Sequence, residues 1–91
     1  MQAIAKTGLL TMYYVYLIRP LKISNQIYIG FTKNLQQRLE THNSGGSIYT
    51  KLHRPWRLVM YFAFEGEQKA LAFEKYLKTQ SGRAFAKKRF W

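Results

Sequence analysis

Ninety-one residues suffice for one domain with one modest core. A hydrophobic share of 47% with 16% aromatics argues against a disordered chain. Fifteen Lys and Arg stand against four acids, all of them Glu, for a net charge of +11. That surplus points to a polyanionic partner, nucleic acid ahead of a membrane surface or an acidic protein. Cysteine is absent, which excludes disulfides, thiolate metal sites and a cysteine nucleophile, and fits a reducing cytoplasm.

No apolar run approaches the roughly 20 residues of a membrane span. Gly8 to Ile18, preceded by Lys6, is the longest candidate for a signal core. No small-residue cleavage site follows, and Tyr13, Tyr14 and Tyr16 suit a buried strand better. Residues 1–12 are weakly patterned and read as an N-terminal extension of a single domain over residues 13–91.

Tyr13 to Arg19 is aromatic and β-branched and is closed by Pro20, the pattern of a strand. After a turn containing Ser24 and Asn25, Gln26 to Phe31 reads as a second strand, forming a hairpin with the first. Thr32 is a suitable N-cap for a helix over 33–43, with Leu35 and Leu39 on one face. The stretch 47–56 is irregular or a short helical turn. Arg57 to Glu65 is the third strand; helices follow from Glu67 to Thr79 and, capped by Ser81, through Lys88. The expectation is an α+β fold, a small three-stranded sheet flanked by helices in the order β-β-α-β-α-α.

Only Glu40, Glu65, Glu67 and Glu74 are available as carboxylates, which argues against a two-metal site built from three or more acids. A single Mg²⁺ that keeps most of its waters needs fewer protein ligands. Glu74 completes an apolar stripe with Ala70, Phe73 and Leu77, so its carboxylate points toward the sheet. It is either a functional acid or half of a salt bridge with a neighbouring Lys or Arg. Arg38 and His42 share a helix face four residues apart, suited to holding phosphate and to relaying a proton or binding phosphate. Tyr16 and Tyr28 lie on the paired strands. Nearby cations would lower a tyrosine pKa and let it deprotonate or orient a water; strand aromatics are otherwise core. Gly30, inside a strand, marks a close backbone approach or a bend.

These residues in their order resemble the GIY-YIG nuclease domain. Tyr14-Val15-Tyr16 and Tyr28-Ile29-Gly30 form the paired motif, followed by Phe31-Thr32, Arg38 and His42-Asn43-Ser44-Gly45. Tyr49-Thr50, Pro55-Trp56, Leu58-Val59, Tyr61 and Phe73-Glu74-Lys75-Tyr76-Leu77-Lys78 come next, then Ser81-Gly82-Arg83. The resemblance spans residues 13–91. It is to the stand-alone bacterial branch, related to the N-terminal domain of the excision-repair incision subunit. It implies a phosphodiesterase using one divalent ion, Mg²⁺ or Mn²⁺. Tyr16 and Tyr28 would flank the attacking water, Arg38 would hold phosphate, and Glu74 would bind the metal. His42 matches a position that often carries His or Tyr. Which tyrosine is the base stays open. Three departures stand out: Tyr14 replaces the name-giving glycine, Phe31 replaces a lysine of some relatives, and residues 78–91 offer no Asn for a later-helix site position. Lys33, Lys51 or Arg54 are candidates for the missing cation.

Lys75, Lys78, Arg83, Lys87, Lys88 and Arg89 are interleaved with Tyr76, Phe85, Phe90 and Trp91, a pattern suited to phosphate neutralisation with base stacking. Phe85 is expected to pack its helix down instead. With Lys33, Lys51 and Arg54, and with Arg19, Lys22, His53 and Arg57 widening the basic face, these cations form the expected nucleic-acid surface. DNA is favoured over RNA, and backbone over base-edge recognition. Two functional classes follow: a metal-dependent DNA endonuclease of low sequence specificity, with a role in repair or recombination, or a basic DNA- or RNA-binding module without turnover. A subunit of a larger repair complex is a third, with no specific feature behind it.

Overall fold

The computed structural model describes residues 11–22 and 25–90. The expected turn residue Ser24, the candidate stacking residue Trp91 and most of the N-terminal extension lie outside them. Three strands, β1 (Tyr13–Pro20), β2 (Tyr28–Thr32) and β3 (Trp56–Phe64), form one antiparallel sheet in the order β2-β1-β3. Helix α1 (Leu35–Ser44) and a 3-10 turn (Lys51–His53) connect β2 to β3. Helices α2 (Glu67–Leu77) and α3 (Gln80–Arg89) follow. The fold is α+β with the β-β-α-β-α-α order.

Alternation along the strands divides the core into two layers. Val15, Leu17 and Ile29 pack with Ala70, Leu77 and Ala86 under α2 and α3. Tyr16, Ile18 and Trp56 pack on the opposite face with Tyr28, Leu35, Leu39 and Leu58, under α1. β1 is therefore buried on both faces, which explains its nearly continuous apolar sequence.

Element ends differ from expectation for local reasons. β2 starts at Tyr28, not Gln26, because its pairing with β1 ends at Tyr28 opposite Ile18. Thr32 does not cap α1, since it is held in the sheet opposite Tyr14. Asn34, in extended backbone, takes that role by accepting from the Gln37 amide at 3.0 Å, and α1 begins at Leu35. α2 stops at Leu77 because Thr79, expected to end it, caps α3 instead of Ser81. The Thr79 hydroxyl accepts from the Gly82 amide at 3.0 Å and donates to the Tyr76 carbonyl at 2.6 Å. A methyl group at Gly82 would overlap that carbonyl, so glycine permits the close α2–α3 corner.

Candidate active site

Tyr16 sits at the middle of β1, 2% exposed, facing α1. Its register partner on β2 is Gly30. A side chain at Gly30 would collide with the Tyr16 hydroxyl, so the glycine makes room for the phenol. One α-helical turn separates Arg38 from His42, and both reach that hydroxyl. Arg38 Nε donates to Tyr16 Oη at 3.3 Å, and His42 Nε2 lies 2.7 Å from the same oxygen.

His42 is fully buried and makes a second contact, 2.6 Å from Nδ1 to Oγ1 of the fully buried Thr50. The buried phenol proton finds its acceptor at Nε2, which puts the imidazole proton on Nδ1, donated to Thr50. Thr50 is fixed in turn: its carbonyl accepts from Trp56 Nε1 at 2.7 Å, and its amide donates to Ser47 at 3.3 Å. Asn43, next to His42, ties the end of α1 to β3 by donating to the Trp56 carbonyl and accepting from its amide.

Tyr28 closes the other side. Its ring stands edge-on to His42 at 4.9 Å and 6.3 Å from the Tyr16 ring. From α2, Glu74 and Lys78 form an ion pair of 2.9 Å, and Lys78 Nζ lies 6.0 Å above the Tyr28 ring. Tyr16, Tyr28, Arg38 and His42, from three elements, thus meet at one place, and Glu74 from α2 is joined to them through Lys78.

The electrostatics run partly against the sequence expectation. Burial pushes the Tyr16 phenol up to about 12. The Arg38 hydrogen bond and charge oppose this without overcoming it, while Tyr28 and Glu74 add to it. Tyr16 is accordingly a neutral hydroxyl at pH 7, not the phenolate that a neighbouring cation was expected to produce. Burial, followed by the Arg38 charge, lowers His42 to about 4, so the imidazole is neutral at pH 7. The hydrogen bond from Arg38 to Tyr16, with a smaller contribution from Tyr28, holds the guanidinium charge more firmly than usual.

The candidate cations Lys33, Lys51 and Arg54 have other surroundings, and the ammonium beside Tyr28 and Glu74 belongs to Lys78. Lys33 Nζ lies over the Tyr13 ring at 5.8 Å, and Arg54 packs on Gly45, whose φ of 86° lets α1 turn sharply at its end. Lys51 is exposed on the 3-10 turn. Lys78 is the ammonium at the cluster, and its i+4 spacing from Glu74 was the sequence signal for it. Thr50, buried against His42, stood among the residues of the resemblance with no role attached to it.

A cleft of about 180 Å³ lined by Ile27, Tyr28, Ile29, Lys78 and Arg83 adjoins the cluster. Arg83 Nε also donates to the Lys78 carbonyl at 3.4 Å. A larger groove, about 490 Å³, runs along the other flank of α1 past Tyr14, Leu58 and Tyr61, and none of the five clustered residues lines it. The cluster, which holds the titratable chemistry, is the better site. Lys75, Lys87 and Lys88 are exposed, and Arg89 stacks on Phe85 at 4.8 Å. Phe85 is half-buried, against Tyr76 and Phe90. Phe90 is not a free stacking platform: it packs on Phe62 at 5.2 Å and joins the core.

Among the described residues no group of three or more His, Asp or Glu is placed to hold a metal. Glu74 is the one carboxylate at the cluster, with a side chain 20% exposed. A single oxygen ligand reached by water suits a hydrated Mg²⁺ or Mn²⁺ and does not suit a two-metal centre. No helix among the described residues is long and apolar enough to cross a membrane.

The GIY-YIG catalytic-domain family model matches residues 12–89. A UPF0213 protein of Lactiplantibacillus plantarum is 40% identical over 80 residues, covering 85% of this chain and 77% of its own. One from Staphylococcus haemolyticus is 39% identical over 70 residues, covering 76% and 83%. The solution NMR structure of a UPF0213 protein from Bacillus halodurans superposes with a TM-score of 0.52 at 26% identity, covering 87% and 86%.

Proposed function

The chain belongs to the GIY-YIG catalytic-domain family, a family of nucleases with bacterial stand-alone members, and from that premise we propose that it is a metal-dependent endonuclease cutting DNA phosphodiester bonds with little sequence preference. The observation that carries the reading is the convergence of Arg38 and His42 on the buried Tyr16 hydroxyl, beside Tyr28 and Glu74.

Arg38 and Lys78 hold and neutralise the phosphate, Arg38 through its forked donors. A water beside Tyr16 loses a proton to the phenol oxygen while the phenol passes its own proton to His42 Nε2. No free phenolate forms, in keeping with the raised Tyr16 pKa. The lowered His42 pKa makes the imidazole a weak base, so it holds the proton only while the negative phosphate lies alongside and offsets the Arg38 charge. The hydroxide attacks phosphorus, one P–O ester bond breaks, the leaving oxygen takes a proton from solvent, and His42 returns its extra proton to solvent through Tyr16. Thr50 fixes the imidazole with Nε2 toward Tyr16. Tyr28 stands edge-on to the imidazole and orients the water. Glu74 is the residue that would hold the divalent ion, exchanging its contact with Lys78. Such an ion supplies Lewis-acid neutralisation of the phosphoryl oxygens. Lys33, Lys51, Arg54, Lys75, Arg83, Lys87, Lys88 and Arg89 bind the backbone to either side, and the activity serves DNA repair or recombination in the cytoplasm.

The test is cleavage of labelled single-stranded, duplex and branched DNA with Mg²⁺ or Mn²⁺. Cutting should vanish in Glu74→Gln and Arg38→Ala. Unchanged cutting by Glu74→Gln would sink the assignment. One observation favours a second reading, a binding module without turnover: Glu74 is already engaged by Lys78. Salt-sensitive binding with no cleavage under either metal would select it.

A further inference from the structure

The segment between α1 and β3 is held from below and exposed above. Gly46 donates to the Thr41 carbonyl at 2.9 Å, Ser47 is 6% exposed, and Thr50 is fully buried between His42 and Trp56. The same anchored loop turns three large apolar side chains outward: Ile48 at 82%, Tyr49 at 80% and Leu52 at 85% exposure. Exposed apolar side chains gathered on one loop mark a contact surface. Their neighbours Lys51, His53 and Arg54 are exposed, and residues 45–55 contain no acid.

Apolar side chains ringed by cations fit one occupant better than others. The core of a protein interface is depleted in lysine, and an apolar partner face would leave Lys51 covered without an acceptor. A base step opened by an inserted side chain offers apolar base faces in the middle and phosphates on both sides. We infer that Ile48, Tyr49 and Leu52 form a wedge that enters the base stack of duplex DNA next to the cleaved phosphate, with Lys51 and Arg54 gripping the flanking phosphates. Thr50 links the two jobs, since it anchors the wedge and holds His42. This inference rests on the nuclease reading and adds a way of choosing substrate: steps that unstack easily, next to mismatches, nicks or branches, are engaged first.

The experiment uses a duplex carrying 2-aminopurine, whose fluorescence rises when the base unstacks, bound to full-length Glu74→Gln protein to prevent cutting. The unsubstituted loop should raise the signal. Ile48→Ser with Leu52→Ser should abolish the rise and weaken binding on the order of tenfold, with the thermal midpoint unchanged because both side chains are exposed. Binding and cleavage by the native chain without any rise would overturn the wedge and leave the nuclease reading standing. The same holds for an unchanged rise in the double variant, or for an effect of the double variant on self-association alone. Absence of all nucleic-acid binding would overturn both.

Discussion

The Tyr16 hydroxyl and the Nε2 of His42 lie 2.7 Å apart in a buried setting, with Arg38 donating to the same phenol oxygen. The pair joins the central strand to α1 and places the phenol against a neutral imidazole that accepts its hydrogen bond. On the proposed mechanism this contact is the proton path. Tyr16→Phe should therefore lower the cleavage rate by two or more orders of magnitude. Tyr28→Phe should retain more activity, because Tyr28 orients the water without passing on a proton, and its ring edge stays against His42. Single-turnover rates of the two variants check the difference, and equal losses would contradict it.

Thr50→Val keeps the shape and removes the acceptor of the His42 Nδ1 proton. A buried donor left without a partner costs about 1–2 kcal/mol. The variant should unfold at lower denaturant concentration and lose activity, since its imidazole is no longer held with Nε2 toward Tyr16. Thr50→Ser should restore both. Denaturant titration with parallel rate measurements is the check.

His42 sets the acid limit of stability. Its pKa falls from 6.5 in the unfolded chain to about 4 in the fold. Between those values the unfolded chain binds the extra proton, so stability is complete above about pH 6.5 and declines as pH drops toward 4. The span corresponds to a loss of about 3 kcal/mol. His42→Gln should flatten that part of the stability–pH curve, even though its midpoint at neutral pH is lower. A parallel decline in the variant would assign the effect to other groups.

Gly30→Ala should be damaging out of proportion to one methyl group, because the methyl overlaps the Tyr16 hydroxyl. Displacing a ring from a filled core costs about 1–3 kcal/mol, and here the displaced ring is the proposed proton donor. Denaturant unfolding should show the loss, and cleavage should fall further than in Thr50→Val.

Lys78→Ala separates charge from stability. The Glu74–Lys78 pair is partly exposed and lies one turn apart on α2 and its C-cap, so its loss should change stability by less than about 0.5 kcal/mol. Cleavage should nevertheless fall by at least about tenfold, since the ammonium over Tyr28 is the cation nearest Glu74. Wild-type cleavage in this variant would remove Lys78 from the site.

Much of this organisation is written in short-range pattern. The aromatic, β-branched run marked β1 as the strand that carries Tyr16, and the helical period put Arg38 beside His42 and Glu74 on the apolar stripe of α2. What the pattern hid depends on distant parts of the chain. Thr50 lies in an irregular loop, and only the closed fold brings it to His42. The raised pKa of Tyr16 follows from the depth of burial under α1, which outweighs Arg38. The cap at Asn34 follows from Thr32 being pinned opposite Tyr14. Phe90 belongs to a basic-aromatic pattern suited to base stacking, yet it closes on Phe62 across the sequence.

Strand β1 is paired on both sides and buried on both faces. A shift of one residue in its register would turn Tyr16 into the hydrophobic layer and bring Val15 or Leu17 to His42. A one-residue slip therefore cannot present the phenol to the imidazole. Setting the register of β1 and assembling the proposed site are consequently a single event: a chain slipped by one residue lacks the Tyr16–His42 contact on which the proposed cleavage depends.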